Sequence, residues 1–317
     1  MQFIANRKKF YLFSGITTLL SFLVFFTIHP NLGIDMTGGL QIEYHTASSL
    51  TPVQIASVKE DIIENYTFEG KHIISDIIVY STNNSAVRVD IGLEKEADTK
   101  KATAHSDDIR TRMPEFFKKH DIVISEASFI SVWKSFWDFV LNRAYLNLTV
   151  CLFAIAFYLM FAFRKSIEGT SSFTFGAITL ITLLHDVVVA AGIYIALGLV
   201  FPGLKVDTFF VTAILTILGY SINDTIVILD RVRANYKDKK SHDKRSDKQI
   251  FEDSIQISLR RSLYTSMMLV IVLVSMLFFG PEALRGFTTL MLLGTIVGTY
   301  SSICLAAPLL YDINSRK

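Results

Sequence analysis

The chain has 317 residues, of which 51% are hydrophobic and 19% charged. That mixture excludes an ordinary soluble enzyme and fits a membrane protein with one sizeable water-exposed domain. The balance of 31 Lys and Arg against 29 Asp and Glu leaves a net charge of +2, too near neutral to argue for a nucleic-acid partner.

The first apolar run covers 10–28, after Arg7, Lys8 and Lys9. Its body is too long for a signal-peptide core, and Thr27-Ile28-His29-Pro30 offers no small-x-small cleavage site, so it reads as a retained anchor. Gly33-Ile34-Asp35-Met36-Thr37-Gly38-Gly39 follows, a tight entry into a strand. Leu40, Ile42 and Tyr44 alternate with Gln41, Glu43 and His45, as in a half-buried strand. Thr51-Pro52 opens a helix with Ile55, Val58, Ile62 and Ile63 on one face. Ile73–Tyr80 and Ala86–Leu93 are β-rich runs joined by a polar turn at 81–85. A polar helix over about 98–119 and a strand over Ile122–Val132 complete the segment. The order βαββαβ is that of a ferredoxin-like split, and about 100 residues can bury a core of their own. His45, His72, His105 and His120 have no metal-type spacing and read as solvated surface.

Trp133, Phe136, Trp137 and Tyr145 read as an interfacial belt before a second apolar run, 145–163. The third run, 172–200, holds His185-Asp186 near its centre. These two could relay protons or clamp a neighbouring helix, with Thr179, Thr182, Thr212 and Thr216 as possible polar partners. The fourth run contains Leu218-Gly219-Tyr220-Ser221-Ile222-Asn223-Asp224-Thr225 and ends at Asp230-Arg231. A carboxylate at that depth either faces a bundle interior and a partner or sits near enough to the helix end to reach water.

Beyond it, Tyr236–Lys248 reads as a charged, mobile connection. Phe251, Ile255 and Leu259 form a stripe expected of an amphipathic helix lying at the membrane interface. Arg260 and Arg261 then enter a fifth run, 263–279, on the level of Asp224, so an Asp–Arg pair is possible. Phe279-Gly280-Pro281 is a helix stop. Gly294 and Gly298 give the sixth run, 288–310, a small-xxx-small packing face. Each run is near the ~20 residues that span hydrocarbon.

Lys and Arg place both termini in the cytoplasm. The expected architecture is a polytopic α-helical membrane protein with six transmembrane helices and an extracytoplasmic α+β ferredoxin-like domain between helices 1 and 2. The boundaries are 1–28 for the N-terminus and first helix, 29–144 for the outer domain, and 145–317 for helices 2–6, with a basic cytoplasmic loop at 230–262. Cys151 and Cys304 fall in predicted spans and read as packing residues. There is no phosphate-cradling loop, nucleophile elbow or metal-ligand cluster, so neither a catalytic site nor a cofactor nor a metal is expected.

These motifs resemble the SecD/SecF family of the bacterial protein translocase, within the RND superfamily. Gly33, Asp35, Gly38 and Gly39 match its GIDFTGG entry motif, with Met36 for Phe. His185-Asp186-Val187 matches its HDV. Gly219–Asn235 resembles GYSxNDTIVxxDRxREN, with Ala234 for Glu. Ser262–Ser266 and Phe279–Phe287 resemble its last two spans, while 129–134 lacks the usual Gly-Pro turn. The resemblance implies SecD as partner, in a twelve-helix bundle in the bacterial cytoplasmic membrane. It also implies use of the proton-motive force to promote late-stage export of unfolded secretory polypeptides delivered by the SecYEG channel and SecA. It points to Asp224 and Arg261 as proton-path residues, with Arg260 the alternative arginine. Their depth in apolar runs makes Asn223, His185 and Asp186 further candidates. The rival readings are a small-molecule exporter subunit, though members of that kind usually have about twelve spans, and a passive scaffold of the translocon.

Overall fold

The computed structural model describes residues 2–37, 39–47, 50–68, 74–82, 86–93, 99–132, 143, 145–151, 153–155, 157–158, 161, 171–242 and 245–315. Gly38, His72, the turn at 83–85, Trp133, Phe136, Trp137 and most of 156–170 lie outside them. The chain divides into two compact units. One holds Met1–His29, Tyr145–Val200 and Phe209–Lys317; the other holds Pro30–Ala144 and Phe201–Thr208.

The second, the sheet unit, comprises α2 (Ile34–Thr37), β1 (Gly39–Thr46), α3 (Pro52–Asn65), β2 (Ile74–Thr82), β3 (Ala86–Leu93), α4 (Thr99–Lys119) and β4 (Ile124–Val132). The four strands form one antiparallel sheet in the order β2-β3-β1-β4. The period-two alternation decides its faces. Leu40, Ile42 and Tyr44 turn into a core with Val87, Val89 and Ile91 of β3, Val58 and Ile62 of α3, and Ile109, Met113 and Phe117 of α4. Burying these side chains stabilises the unit by roughly 1.5–3 kcal/mol each before entropy is subtracted. Thr51 starts α3 with a reciprocal cap: its hydroxyl accepts from the Gln54 amide, while the Gln54 side chain accepts from the Thr51 amide at 3.0 Å.

The opposite face of the sheet carries the polar cross-strand pairs. Gln41 donates to Asp90 at 2.7 Å and Arg88 pairs with Glu43 at 2.8 Å; both pairs lie directly opposite in the β1–β3 register. Lys205 pairs with Asp90 on the same face, and both are buried. The entry motif has a definite role here. Leu32 pairs with Val206, Gly33 donates to the Val206 carbonyl at 2.9 Å, and Asp35 accepts from the Thr208 amide at 2.9 Å. Gly33 has no room for a side chain, because a Cβ there would lie 2.7 Å from that of Asp207. Gly39 has φ +146°, and a Cβ would collide with the Ile91 carbonyl, so only glycine fits.

The helical unit comprises α1 (Arg7–Thr27), a shorter apolar helix α5 (Tyr145–Ile155), α6 (Ser172–Gly198), α7 (Thr208–His242, from Phe209 onward), α8 (Asp247–Phe279), α9 (Arg285–Ser301), a π-helical turn at Ser302–Ala306, and α10 (Ala307–Ser315). Among the described residues, five helices are long and apolar enough to cross a membrane: α1, α6, α7, α8, and α9 continued through α10. The π turn precedes Pro308, whose missing amide and ring clash disturb the bond to the carbonyl four residues back. Gly294 would overlap Ile217 of α7 if it carried a Cβ, and Gly298 would press on Ser221 at 3.1 Å. The small-xxx-small face thus seats α9 on α7. Gly192 plays the same part against Ser21 of α1.

Two expectations change. The segment 230–262 is mostly helix rather than loop: α7 runs on to His242, and Ser246 restarts the chain with a capping box to Gln249. Helix α8 then runs unbroken through Arg261. Its Phe251–Ile255 stripe does not lie on a membrane surface. Both residues are fully buried in a protein core with Phe3, Ile4, Val232 and Leu310, and Glu252 accepts from the Phe3 and Ile4 amides. An amphipathic stripe reports which face is apolar, not whether lipid or protein covers it.

Candidate functional site

Helix α7 puts two polar groups on different sides. Asp224 is buried (4% exposed) and its carboxylate accepts from Ser262 of α8 at 2.6 Å and from Ser266 at 3.4 Å. Ser266 in turn meets Thr299 of α9 at 2.6 Å and accepts from Tyr220 at 3.0 Å. Asp224 therefore ends a chain of hydroxyls that crosses three helices. The serines come from a stripe at every fourth position of α8, Ser254, Ser258, Ser262 and Ser266, all buried. That spacing stacks them on one helix face, and it is the signal in the sequence that could have revealed them.

One turn before Asp224, Ser221 faces a second carboxylate. Asp186 of α6 is fully buried. It accepts from Ser221, from Ser301 at 2.7 Å, and lies 2.9 Å from His185 Nδ1. His185 and Asp186 thus form one cluster with α7 and α9. Thr179, Thr182 and Thr216 are not part of it. Each bonds back to a carbonyl of its own helix.

The expected Asp224–Arg261 ion pair is not formed. Asp224 is held by hydroxyls instead, and Arg261 is exposed. It lines a cavity of about 410 Å³ between α7 and α8, with Asp230, Arg231, Ala234 and Ser258. Arg260 is exposed beside it, and Asn223 is exposed on the side of α7 away from Asp224. Adjacent helix positions lie about 100° apart, so Asn223 leaves the face of α7 on which Asp224 meets α8. At Gly219 a Cβ would meet nothing within 4 Å among the described residues, so it makes no close helix contact within this chain.

The histidines of the sheet unit are corrected too. His105 is buried edge-on against Phe68, with ring centroids 4.3 Å apart, and His120 bonds Asp61 at 3.2 Å. His45 is exposed as expected. Cys304 is buried and Cys151 half-buried, both as free thiols. Among the described residues no group of three or more His, Cys, Asp or Glu could hold a metal.

The comparisons with known proteins agree with this architecture. A family model described as protein export membrane protein SecD/SecF, C-terminal, matches residues 114–316. The chain belongs to the SecD/SecF family. Its role in Sec protein export follows from that membership. A protein translocase subunit SecF from Thermobaculum terrenum is 31% identical over 98% of this chain and 93% of its own length. One from Sebaldella termitidis is 30% identical over the whole of this chain and 93% of its own. The crystal structure of SecDF from Thermus thermophilus, described as a translocon-associated membrane protein, superimposes with a TM-score of 0.77. It is 24% identical and covers 98% of this chain, which spans 38% of that longer one.

Proposed function

We propose that this SecD/SecF family member partners SecD and uses the proton-motive force to promote late-stage export through SecYEG after SecA has driven the chain in. In this reading the protein resides in the bacterial cytoplasmic membrane with both termini inside. Helix α5 belongs to a sixth span, and the sheet unit is a ferredoxin-like domain on the outer side that handles unfolded polypeptide. The chain is a transport subunit, not an enzyme. The relative from Bacillus subtilis named protein translocase subunit SecDF, 29% identical over 96% of this chain, supports SecD as the partner. So does Asn223, a polar residue exposed on an apolar helix, which calls for another helix to cover it.

The observation that carries the proposal is a buried carboxylate held by the neutral hydroxyls of Ser262 and Ser266, the first of which directly follows Arg261 in the chain. The hydroxyls of Ser262 and Ser266 can donate to Asp224 when it is ionised and accept from it when it is protonated, so the site tolerates both states. Protonation removes the attraction between Asp224 and the always-charged Arg261, and α7 and α8 are then free to repack. One proton crossing ~100 mV supplies about 2.3 kcal/mol, whereas inverting a two-state element from 1:99 to 99:1 takes about 5.5 kcal/mol. More than one proton per cycle is therefore expected.

The test is export of a secretory substrate from vesicles containing this chain and SecD. The gradient accelerates export by wild type and not by Asp224→Asn. An equal response of the two removes Asp224 from the coupling.

A further inference from the structure

The function proposed above leaves the Gly33–Gly39 motif without a part. Residues Phe201–Thr208 join α6 to α7 in the chain, yet they belong to the sheet unit. Two sets of contacts fasten them there. In the first, Leu32 pairs with Val206, the Val206 amide donates to the Asn31 carbonyl at 2.7 Å, and the Gly33 amide donates to the Val206 carbonyl at 2.9 Å. Asp35 of α2 adds its carboxylate, which accepts from the Thr208 amide at 2.9 Å. In the second, the buried Lys205 pairs with Asp90 of β3 and donates to the Tyr80 hydroxyl of β2 at 3.3 Å.

Thr208 is the first residue of α7, the helix that carries Asp224. The first amides of a helix have no carbonyl within the helix to bond, so a side chain that accepts from one of them fixes where the helix begins. Asp35 does so with a carboxylate, whose charge also suits the positive end of the helix dipole. Such caps ordinarily come from the residue just ahead of the helix; this one comes from 173 positions away. With residues 205, 206 and 208 all held, no slack remains at the start of α7. We infer that Asp35 is a positioning residue which, together with Lys205, makes this loop a rigid joint that passes displacement of α7 to the sheet. Asp35 stands four residues ahead of β1 and Lys205 grips β3, and these are the two central strands. This deepens the reading above and rests on it for its role in export: repacking of α7 and α8 moves a polypeptide only if α7 is tied to the unit that handles it.

Continuity of the chain does not carry such a displacement by itself, because a few loop residues absorb it by changing φ and ψ. An ordinary cap and a joint therefore differ in reach. A cap acts on the first turn of α7 alone. A joint makes a change at Asp224 felt in β1 and β3, and makes both anchors necessary for it, since a loop held at one point swings about that point.

The experiment is hydrogen exchange, read by mass spectrometry with no gradient, on the full chain reconstituted in lipid with SecD. Asp224→Asn changes amide exchange in β1 and β3 by at least about twofold, the lower end of couplings carried through packed networks. Asp35→Ala speeds exchange in the first turn of α7 by about fivefold, the loss of an ordinary cap, and abolishes the response of both strands to Asp224→Asn. A disulfide between Leu32→Cys and Val206→Cys, in a chain with Cys151→Ala and Cys304→Ala, restores that response in Asp35→Ala, because bridged neighbours lie within disulfide reach. A fivefold effect on α7 with the strand response intact makes Asp35 an ordinary cap and overturns the joint. So do strands that ignore Asp224→Asn in the otherwise wild-type chain, or a disulfide that restores nothing. Should Asp35→Ala fail to fold, Lys205→Met combined with Asp90→Leu removes the other anchor, and replacing both partners of a buried pair by apolar residues is often neutral. A lost strand response then supports the joint, and an unchanged one removes it. Gradient-driven export by wild type and Asp224→Asn tests the proton-coupled reading separately, so either idea can fail without the other.

Discussion

The sheet unit and the buried interior of the helical unit hold their carboxylates in opposite ways. In the sheet unit Asp61 is bound by Lys119 at 2.6 Å, Glu43 by Arg88, Glu126 by Arg110, and Asp90 by Lys205. In the helical unit Asp224 and Asp186 are held mainly by serine hydroxyls. A cation partner fixes a carboxylate in its ionised form, since protonation discards the attraction. Hydroxyls can serve either form, because each both donates and accepts. The first arrangement is a fastener. Under the proposed function, the second is a place where a proton comes and goes without dismantling its surroundings.

The same substitution at two sites breaks or sharpens this contrast. Asp90→Asn leaves Lys205 buried without its counter-charge, and removing one partner of a buried pair costs about 3–5 kcal/mol. Asp224→Asn keeps an oxygen for the Ser262 hydroxyl and costs about 1 kcal/mol, the range of one ordinary hydrogen bond. Hydrogen exchange on the full chain in detergent reads both, in β1 and β3 for the first and in α7 and α8 for the second. Equal losses at the two sites end the distinction.

The fixed part of the helical unit can be probed at Gly294. Replacing it by Val drives a side chain into Ile217, and overpacking of this kind costs about 1–3 kcal/mol. The melting temperature in detergent falls, and gradient-driven export falls with it. A variant as stable as wild type means that α7 and α9 separate easily, and that their contact is no fixed reference for the hydroxyl network.

The smallest effect is in the fasteners near water. The Lys119 hydrogen bond, aided by Asn65 and His120, holds the Asp61 carboxyl below its usual range against the opposing effect of burial. A depressed folded value means that the stabilisation is complete above the unfolded value of about 3.9 and is lost as pH falls through the folded one. Lys119 is itself largely exposed, so water screens the pair and the effect is modest. Amide exchange at the α3–α4 contact accelerates below about pH 4 in wild type, and Asp61→Asn flattens that acid limb. A limb that survives the substitution assigns it to another carboxylate.

Much of the fold was legible in the residues themselves. Alternation in Leu40, Ile42 and Tyr44, the Thr51-Pro52 start and the Gly280-Pro281 stop are local signals, and the elements begin and end close to where those signals fall. The depth of Asp224 and of His185-Asp186 was equally plain, because an ionisable residue in an apolar run stands out whatever surrounds it. What covers a face, and who partners whom, was not legible. The Phe251–Ile255 stripe met protein instead of lipid. Asn223 pointed away from the neighbour with which it shares a motif. Arg261 did not close on Asp224; the serines of α8 took that place. The pairing of Asp186 with Ser221 and Ser301 joins residues 35 and 115 positions apart. Periodicity fixes the direction of a side chain relative to its own helix, but only the packing of several helices decides which donor stands opposite it. That is why the sequence by itself determined the elements and the buried charges, and tertiary structure alone decided that those charges rest on hydroxyls.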